Sequence, residues 1–335
     1  MNHQATAFLA DGVSWISFDV DTLRNQFWDN TIEGLSQGSI YALVALGYTL
    51  VYGVLRLINF AHSEVFIYGA FGAYFTFFGL GFRPGPTPEL STIEIIGYLA
   101  VALVAAMLVS GATAVVVERV AYRPLRKRGA PPLVFLITAI GASFVLQQLL
   151  FIWRHGNPER AIRLLRPQEV FTVFGASVTN LQIIIVVASL VLMVIADIFI
   201  NRTRLGRGVR AVAQDPDTAT LMGVNKERVI MLTFLIGGLL AGAAALFYLM
   251  KIPQGAVYQG GFLLGIKAFT AAVLGGIGNL RGALLGGLVL GVAENYGQSL
   301  FGGGWRDIVA FVLLIVILMF RPTGILGESL GKARV

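Results

Sequence analysis

Leu57-Ile58-Asn59-Phe60-Ala61-His62-Ser63-Glu64 lies between two long apolar runs, each of a length that suits a bilayer. Four of its eight residues, Asn59, His62, Ser63 and Glu64, are costly in hydrocarbon, where an ionisable group near the bilayer centre costs about 3 kcal/mol or more. Such groups therefore face a protein interior or a water-filled path. A polar break between apolar segments makes a discontinuous helix, and transporters place these breaks where substrate passes. The stretch predicts a membrane protein with Asn59, His62, Ser63 and Glu64 beside a translocation route. A blander reading remains open for each: Asn59 and His62 satisfying backbone groups freed by the break, and Glu64 favoured by a helix N-terminus.

Composition agrees with the membrane reading. The 335 residues are 56% hydrophobic and only 13% charged, where a soluble domain carries about 25% charged residues. The 40 glycines allow close helix–helix approach in lipid. With no cysteine in the chain, disulfides, thiolate metal sites and cysteine nucleophiles are excluded. The net charge of +7 is assigned to positive-inside topology rather than to nucleic acid. Residues 1–30 read as a polar lead-in, with a short interfacial turn near Trp15 to Phe18, and not as a signal peptide.

Outward from the break, spans are expected at about 32–52, 60–82, 95–117, 133–153, 181–200, 229–250 and 308–320. A further glycine-crowded apolar stretch covers 265–297. Together they predict an all-α integral membrane protein with about eight or nine transmembrane helices. Arg119, Arg123, Arg126, Lys127 and Arg128 follow the third span and mark a cytoplasmic loop. Six more basic residues lie in 201–228, and Arg321, Lys332 and Arg334 fall at the C-terminal end, with 328–335 read as a cytoplasmic tail. The C-terminus is thus expected inside and the N-terminus outside. Residues 154–180 are placed outside although Arg154, Arg160, Arg163 and Arg166 oppose that side.

A second break is expected at 274–282, Leu274-Gly275-Gly276-Ile277-Gly278-Asn279-Leu280-Arg281-Gly282. Two interrupted apolar segments in corresponding halves point to a transport site, so Gly275, Gly276 and Asn279 join the candidates for the path. Close packing accounts for the glycines equally well.

In 201–228, Asp215-Pro216-Asp217 reads as a helix start, with Asp215 at the N-cap and proline at the first helical position. Ala219 continues this short helix and Gly223 can stop it. Catalytic motifs are missing: there is no phosphate-binding G-x-x-x-x-G-K-[ST], no HExxH, no G-x-S-x-G, and His3, His62 and His155 are far apart. No enzyme activity and no cofactor of its own are expected.

The run Gly38 to Gly53, Ile58-Asn59-Phe60-Ala61-His62, Gly265 to Gly278 and Arg321-Pro322-Thr323-Gly324-Ile325-Leu326-Gly327 together resemble the LivH-type permeases of branched-chain amino-acid ATP-binding-cassette importers. The resemblance covers nearly all of 31–327, which becomes a single permease domain. It implies a bacterial inner-membrane subunit working with a second, paralogous permease subunit, two cytoplasmic ATPases that hydrolyse the ATP, and an extracytoplasmic substrate-binding protein. It also implies that Asp215, Ala219 and Gly223 belong to a coupling helix that docks on an ATPase. The family pattern usually has glycine where this chain has Ser63, so a different local path or ligand contact is expected there. Two alternatives stay open: a urea or short-chain amide importer of the same class, and an ion-coupled secondary transporter using Glu64 or His62.

Overall fold

The computed structural model describes residues 19–252 and 255–327. The expected interfacial turn at Trp15 to Phe18 and the tail residues Lys332 and Arg334 lie outside these.

A short helix α1 (Val20–Asn25) leads into α2 (Phe27–Leu55), which carries the first expected span. After the break comes α3 (His62–Gly79), then α4 (Thr92–Val117). One π-helical turn (Glu118–Tyr122) joins α4 to α5 (Arg123–Lys127), so the axis continues through the basic stretch. Next are α6 (Pro132–Arg154), strands β1 (Glu169–Val173) and β2 (Ala176–Thr179), α7 (Asn180–Arg202), α8 (Arg204–Gln214) and α9 (Pro216–Leu221). The chain closes with α10 (Lys226–Lys251), α11 (Gly260–Gly275), α12 (Leu280–Phe301) and α13 (Arg306–Phe320).

Helix starts follow local chemistry. Ser91 and Glu94 form a reciprocal capping box on α4, and Thr179 and Gln182 form another on α7. Asn225 caps α10 by accepting from the Arg228 amide at 3.1 Å.

The architecture is a buried set of helices inside an apolar shell. α2 and α10 are mostly enclosed, whereas α4, α6, α7 and α13 turn Leu108, Phe144, Val191, Ile315 and similar residues outward. An exposed apolar shell is what lipid solvates, and it needs no protein cover. The tightest crossing pairs α2 with α12. A Cβ on Gly38 would lie 2.6 Å from the Gly287 carbonyl, and one on Gly34 would lie 2.6 Å from the Val292 Cα. Glycine at both positions lets the two backbones touch, the contact that replaces hydrophobic driving force inside a membrane.

Among the described residues six helices are long and apolar enough to cross a membrane, or seven if the α11–α12 pair counts as one span. This count does not confirm the expected eight or nine. The second expected span, α3, is 18 residues long and begins with His62, Ser63 and Glu64, so its apolar content is diluted. α11 and α12 are bent by 120° at a short break, so the apolar stretch 265–297 is interrupted where the second break is expected and folds back on itself. The all-α expectation fits, and the described strands β1 and β2 form only a short antiparallel hairpin in the segment before α7. Two of the arginines that strained the placement of this segment are engaged locally. Arg154 is paired with Glu159, and Arg166 donates to the Thr87 carbonyl at 3.2 Å.

Candidate functional site: two helix breaks and a coupling loop

The first break falls where the polar stretch predicts it. α2 ends at Leu55, and Arg56 turns the chain through a left-handed conformation with φ of 52°. α3 starts at His62, so His62, Ser63 and Glu64 form its first turn rather than part of the unwound segment. All four polar residues are buried, each no more than 2% exposed. Asn59 Oδ1 accepts from the Tyr122 hydroxyl at 2.9 Å, and its carbonyl accepts the His62 amide at 3.1 Å. Tyr122 sits, fully buried, at the end of the π-helical turn; such turns recur at functional positions.

The packing around Ser63 shows what its side chain does. Its Oγ donates to the Phe60 carbonyl at 2.8 Å, satisfying a group that the break would leave unpaired. Its Cβ fills space left open by Gly265 on α11, where an added methyl would collide with it. A Cβ on Gly261 would lie 2.8 Å from the Ser63 carbonyl and 3.1 Å from Glu64 Oε1. The first break is therefore pressed against a glycine face of α11.

Several polar atoms here have no protein partner: Asn59 Nδ2, His62 Nε2 and Glu64 Oε2. The His62 ring packs edge-on to Tyr48 with centroids 4.9 Å apart. Glu64 Oε1 accepts from Ser143 of α6 at 3.4 Å. Ser143 also lines a cavity of about 290 Å³ between α6, the break and the start of α11.

The second break is real and has a different use. Gly276 takes φ of +109°, and α12 restarts at Leu280. Asn279 caps the new helix, accepting from the amides of Arg281 at 3.0 Å and Gly282 at 3.2 Å. Its Nδ2 donates to the Leu326 carbonyl at 2.9 Å, and the Leu326 amide donates to Gly275 at 3.0 Å. The segment 323–327 thus packs on Gly275 and Gly276. The two breaks do not meet. Gly265 and Gly275 are ten residues apart on one helix, about 15 Å at the α-helical rise. The candidates Asn59, His62, Ser63 and Glu64 form one group, and Gly275, Gly276 and Asn279 form another.

Sequence reasoning missed a third feature, a buried ionic network. Glu294 of α12 is fully enclosed, with Lys267 Nζ of α11 at 3.1 Å and Arg306 Nε of α13 at 3.2 Å. The Tyr41 hydroxyl of α2 donates to it at 2.8 Å, and Lys267 also pairs with Asp307 at 2.6 Å. Two cations meet two carboxylates, so the group is balanced, and it ties α2, α11, α12 and α13 together. The signal was present, since Lys267 and Glu294 each interrupt an apolar run.

At the far end of α8 lies the coupling candidate. Asp215 caps α9, accepting from the amides of Asp217 at 3.0 Å and Thr218 at 3.2 Å. Hydrogen bonds from Thr218 hold its carboxyl below the usual carboxylate range. The cap is thus ionised at neutral pH, and its contribution is lost only as acid passes that lowered value. Ala219 is buried, Leu221 and Met222 are strongly exposed, and Gly223 ends the turn at φ of +84°. Asp215 at the N-cap, Ala219 within and Gly223 just past the end thus frame one short helix with an apolar outer tip. This helix is linked to the first break. Arg56 Nη2 lies 3.5 Å from the carbonyls of Ala213 and Gln214, the last residues of α8. Nearby, Arg126 is paired with Glu118 and with Glu227 at the start of α10.

Among the described residues there is no grouping of His, Asp and Glu that could hold a metal ion. Residues 30–318 match the family described as branched-chain amino acid transport system / permease component. The chain is 45% identical to the high-affinity branched-chain amino acid transport system permease protein BraD of Pseudomonas aeruginosa, over 89% of this chain and 94% of that protein. It is 39% identical to the LivH permease of the same system in Escherichia coli K12, over 90% of this chain and 96% of that one. A probable LivH permease of Methanocaldococcus jannaschii shares 25% identity over 88% of this chain and 91% of its own length.

Proposed function

Because the chain belongs to the branched-chain amino acid transport system permease family, we propose that it is a membrane subunit of an ATP-binding-cassette importer for branched-chain or similar neutral amino acids. Residues 31–327 form its permease domain. It sits in a bacterial inner membrane with its C-terminus inside and its N-terminus outside. A second permease subunit completes the path, a binding protein delivers substrate from outside, and two cytoplasmic ATPases supply the energy.

The observation that carries the reading is the match to this family along nearly the whole chain at 45% identity to one such permease. The geometry supplies a way for the machine to work. A short helix with an exposed apolar tip, Leu221 and Met222, suits a groove on an ATPase. Movement of α9 pulls on the end of α8, and Arg56 passes that displacement to the first break. Asn59, His62 and Glu64 then shift against the glycine face of α11, opening one side of the path as the other closes. The second break serves as a fixed hinge, held by 323–327.

Purifying the tagged chain from its native membrane should bring down the second permease and both ATPases. Gly223→Trp should lose the ATPases and keep the second permease, because glycine ends the coupling turn at a positive φ that tryptophan rarely adopts. ATPases retained in full on the variant would remove the coupling role of α9.

A further inference from the structure

Four acidic side chains are buried among the described residues: Glu64, Glu118, Glu159 and Glu294. Three of them have a cation in contact. Arg126 meets Glu118, Arg154 meets Glu159, and Lys267 and Arg306 meet Glu294. Glu64 is 1% exposed and lacks any such cation; its polar neighbours are the Ser143 hydroxyl, which donates to Oε1 at 3.4 Å, and Ser63, and Oε2 has no hydrogen-bond partner. A buried carboxylate without a counter-charge costs several kcal/mol, so a protein that retains one either keeps it neutral or receives a cation from elsewhere.

The cavity beside it indicates the second use. Ser143, which holds Glu64, is itself part of the cavity wall. Phe60, Phe144 and Phe262 give the space apolar walls, with the exposed Phe144 and Phe262 on its open outward side, and the amides of Gln147 and Gln259 complete its lining. The volume of about 290 Å³ suits a small ligand, and ligand pockets combine mostly apolar walls with a few placed polar groups. A neutral α-amino acid carries the matching groups. Its ammonium balances Glu64 across Ser143, its carboxylate accepts from the glutamine amides, and its aliphatic chain lies on the phenyl rings.

We propose that this cavity is a subsite for a zwitterionic neutral amino acid, with Glu64 the counter-ion for its ammonium group. The proposal deepens the permease reading and rests on it. It also gives the polar first turn of α3 a purpose that packing does not require.

The test uses the complete importer and three probes. These are L-leucine, 3-methylbutan-1-amine (leucine without its carboxylate) and 4-methylpentanoate (leucine without its amine). Equilibrium binding is measured on the detergent-purified complex without the binding protein. Glu64→Gln should weaken L-leucine and the amine by about tenfold or more, through loss of the counter-charge that acts across Ser143. It should leave 4-methylpentanoate unchanged. Gln147→Glu, at a half-buried wall position that can accept a charge, should do the reverse: it should weaken L-leucine by repelling its carboxylate and spare the amine. This second variant keeps the question answerable if Glu64→Gln fails to assemble. A wild-type importer that transports L-leucine, while both variants bind all three probes as before, would overturn the subsite and leave the permease reading standing. A wild-type complex that imports no neutral amino acid would overturn the reading beneath it.

Discussion

At the scale of single residues, polar groups inside an apolar chain are the informative ones, and they divide by partner. Lys267 and Glu294 are satisfied by one another, by Arg306, Asp307 and Tyr41, and this network is structural. Lys267→Met should strand the Glu294 carboxylate beside a single remaining cation and cost about 3–5 kcal/mol, the usual penalty for breaking a buried pair. Thermal unfolding in detergent measures it, and an unchanged midpoint would mean that the pair contributes nothing. Glu64 and His62 keep unpartnered atoms instead, which sets them apart from the network. The sequence shows that Asn59, His62, Ser63 and Glu64 are unusual, because each interrupts an apolar run. It hides the ionic network, because the four charged members lie on three helices up to 40 positions apart. Only the folded-back path of α11 and α12 brings them together.

At the scale of elements, the central joint is the first turn of α3 against the glycine face of α11. Gly265→Val should drive its side chain into Ser63 and Tyr48, and overpacking of this kind costs about 1–3 kcal/mol. Ser63→Gly, which removes the Cβ that the introduced valine would meet, should relieve part of that cost in the double variant. Additive losses, measured by unfolding of the single and double variants, would contradict direct contact. Arg56 is the matching test of the link to the coupling helix. Arg56→Ala should keep the ATPases bound and hydrolysing while L-leucine uptake falls by about tenfold or more, a loss on the scale of a few polar contacts. Arg56→Lys should recover part of it through its remaining charge. Equal loss of hydrolysis and uptake would make Arg56 a folding residue only. Long apolar runs made α2, α4, α6, α7, α10 and α13 legible within a few residues. Run length could not separate a crossing helix from the folded-back α11–α12 pair, since both are apolar and rich in glycine. It also could not foresee the hairpin of β1 and β2, whose alternation is short and lies in a mixed-charge segment.

At the scale of the whole molecule, the fold is a glycine-packed centre holding two breaks, with lipid-facing helices around it. Its sequence holds no phosphate-binding loop of the G-x-x-x-x-G-K-[ST] type. Both breaks were legible as polar or glycine interruptions, but their separation along α11 was not, because distance within a bundle depends on how helices cross. The ion-coupled alternative assigns Glu64 a proton and lets the chain act alone. The importer reading assigns the work to partners pressing on α9. The two differ most directly in uptake of labelled L-leucine by proteoliposomes. With both permeases, the ATPases and the binding protein, uptake should require ATP and persist when the proton gradient is collapsed. Accumulation driven by a pH gradient in vesicles holding this chain without any ATPase would contradict the account.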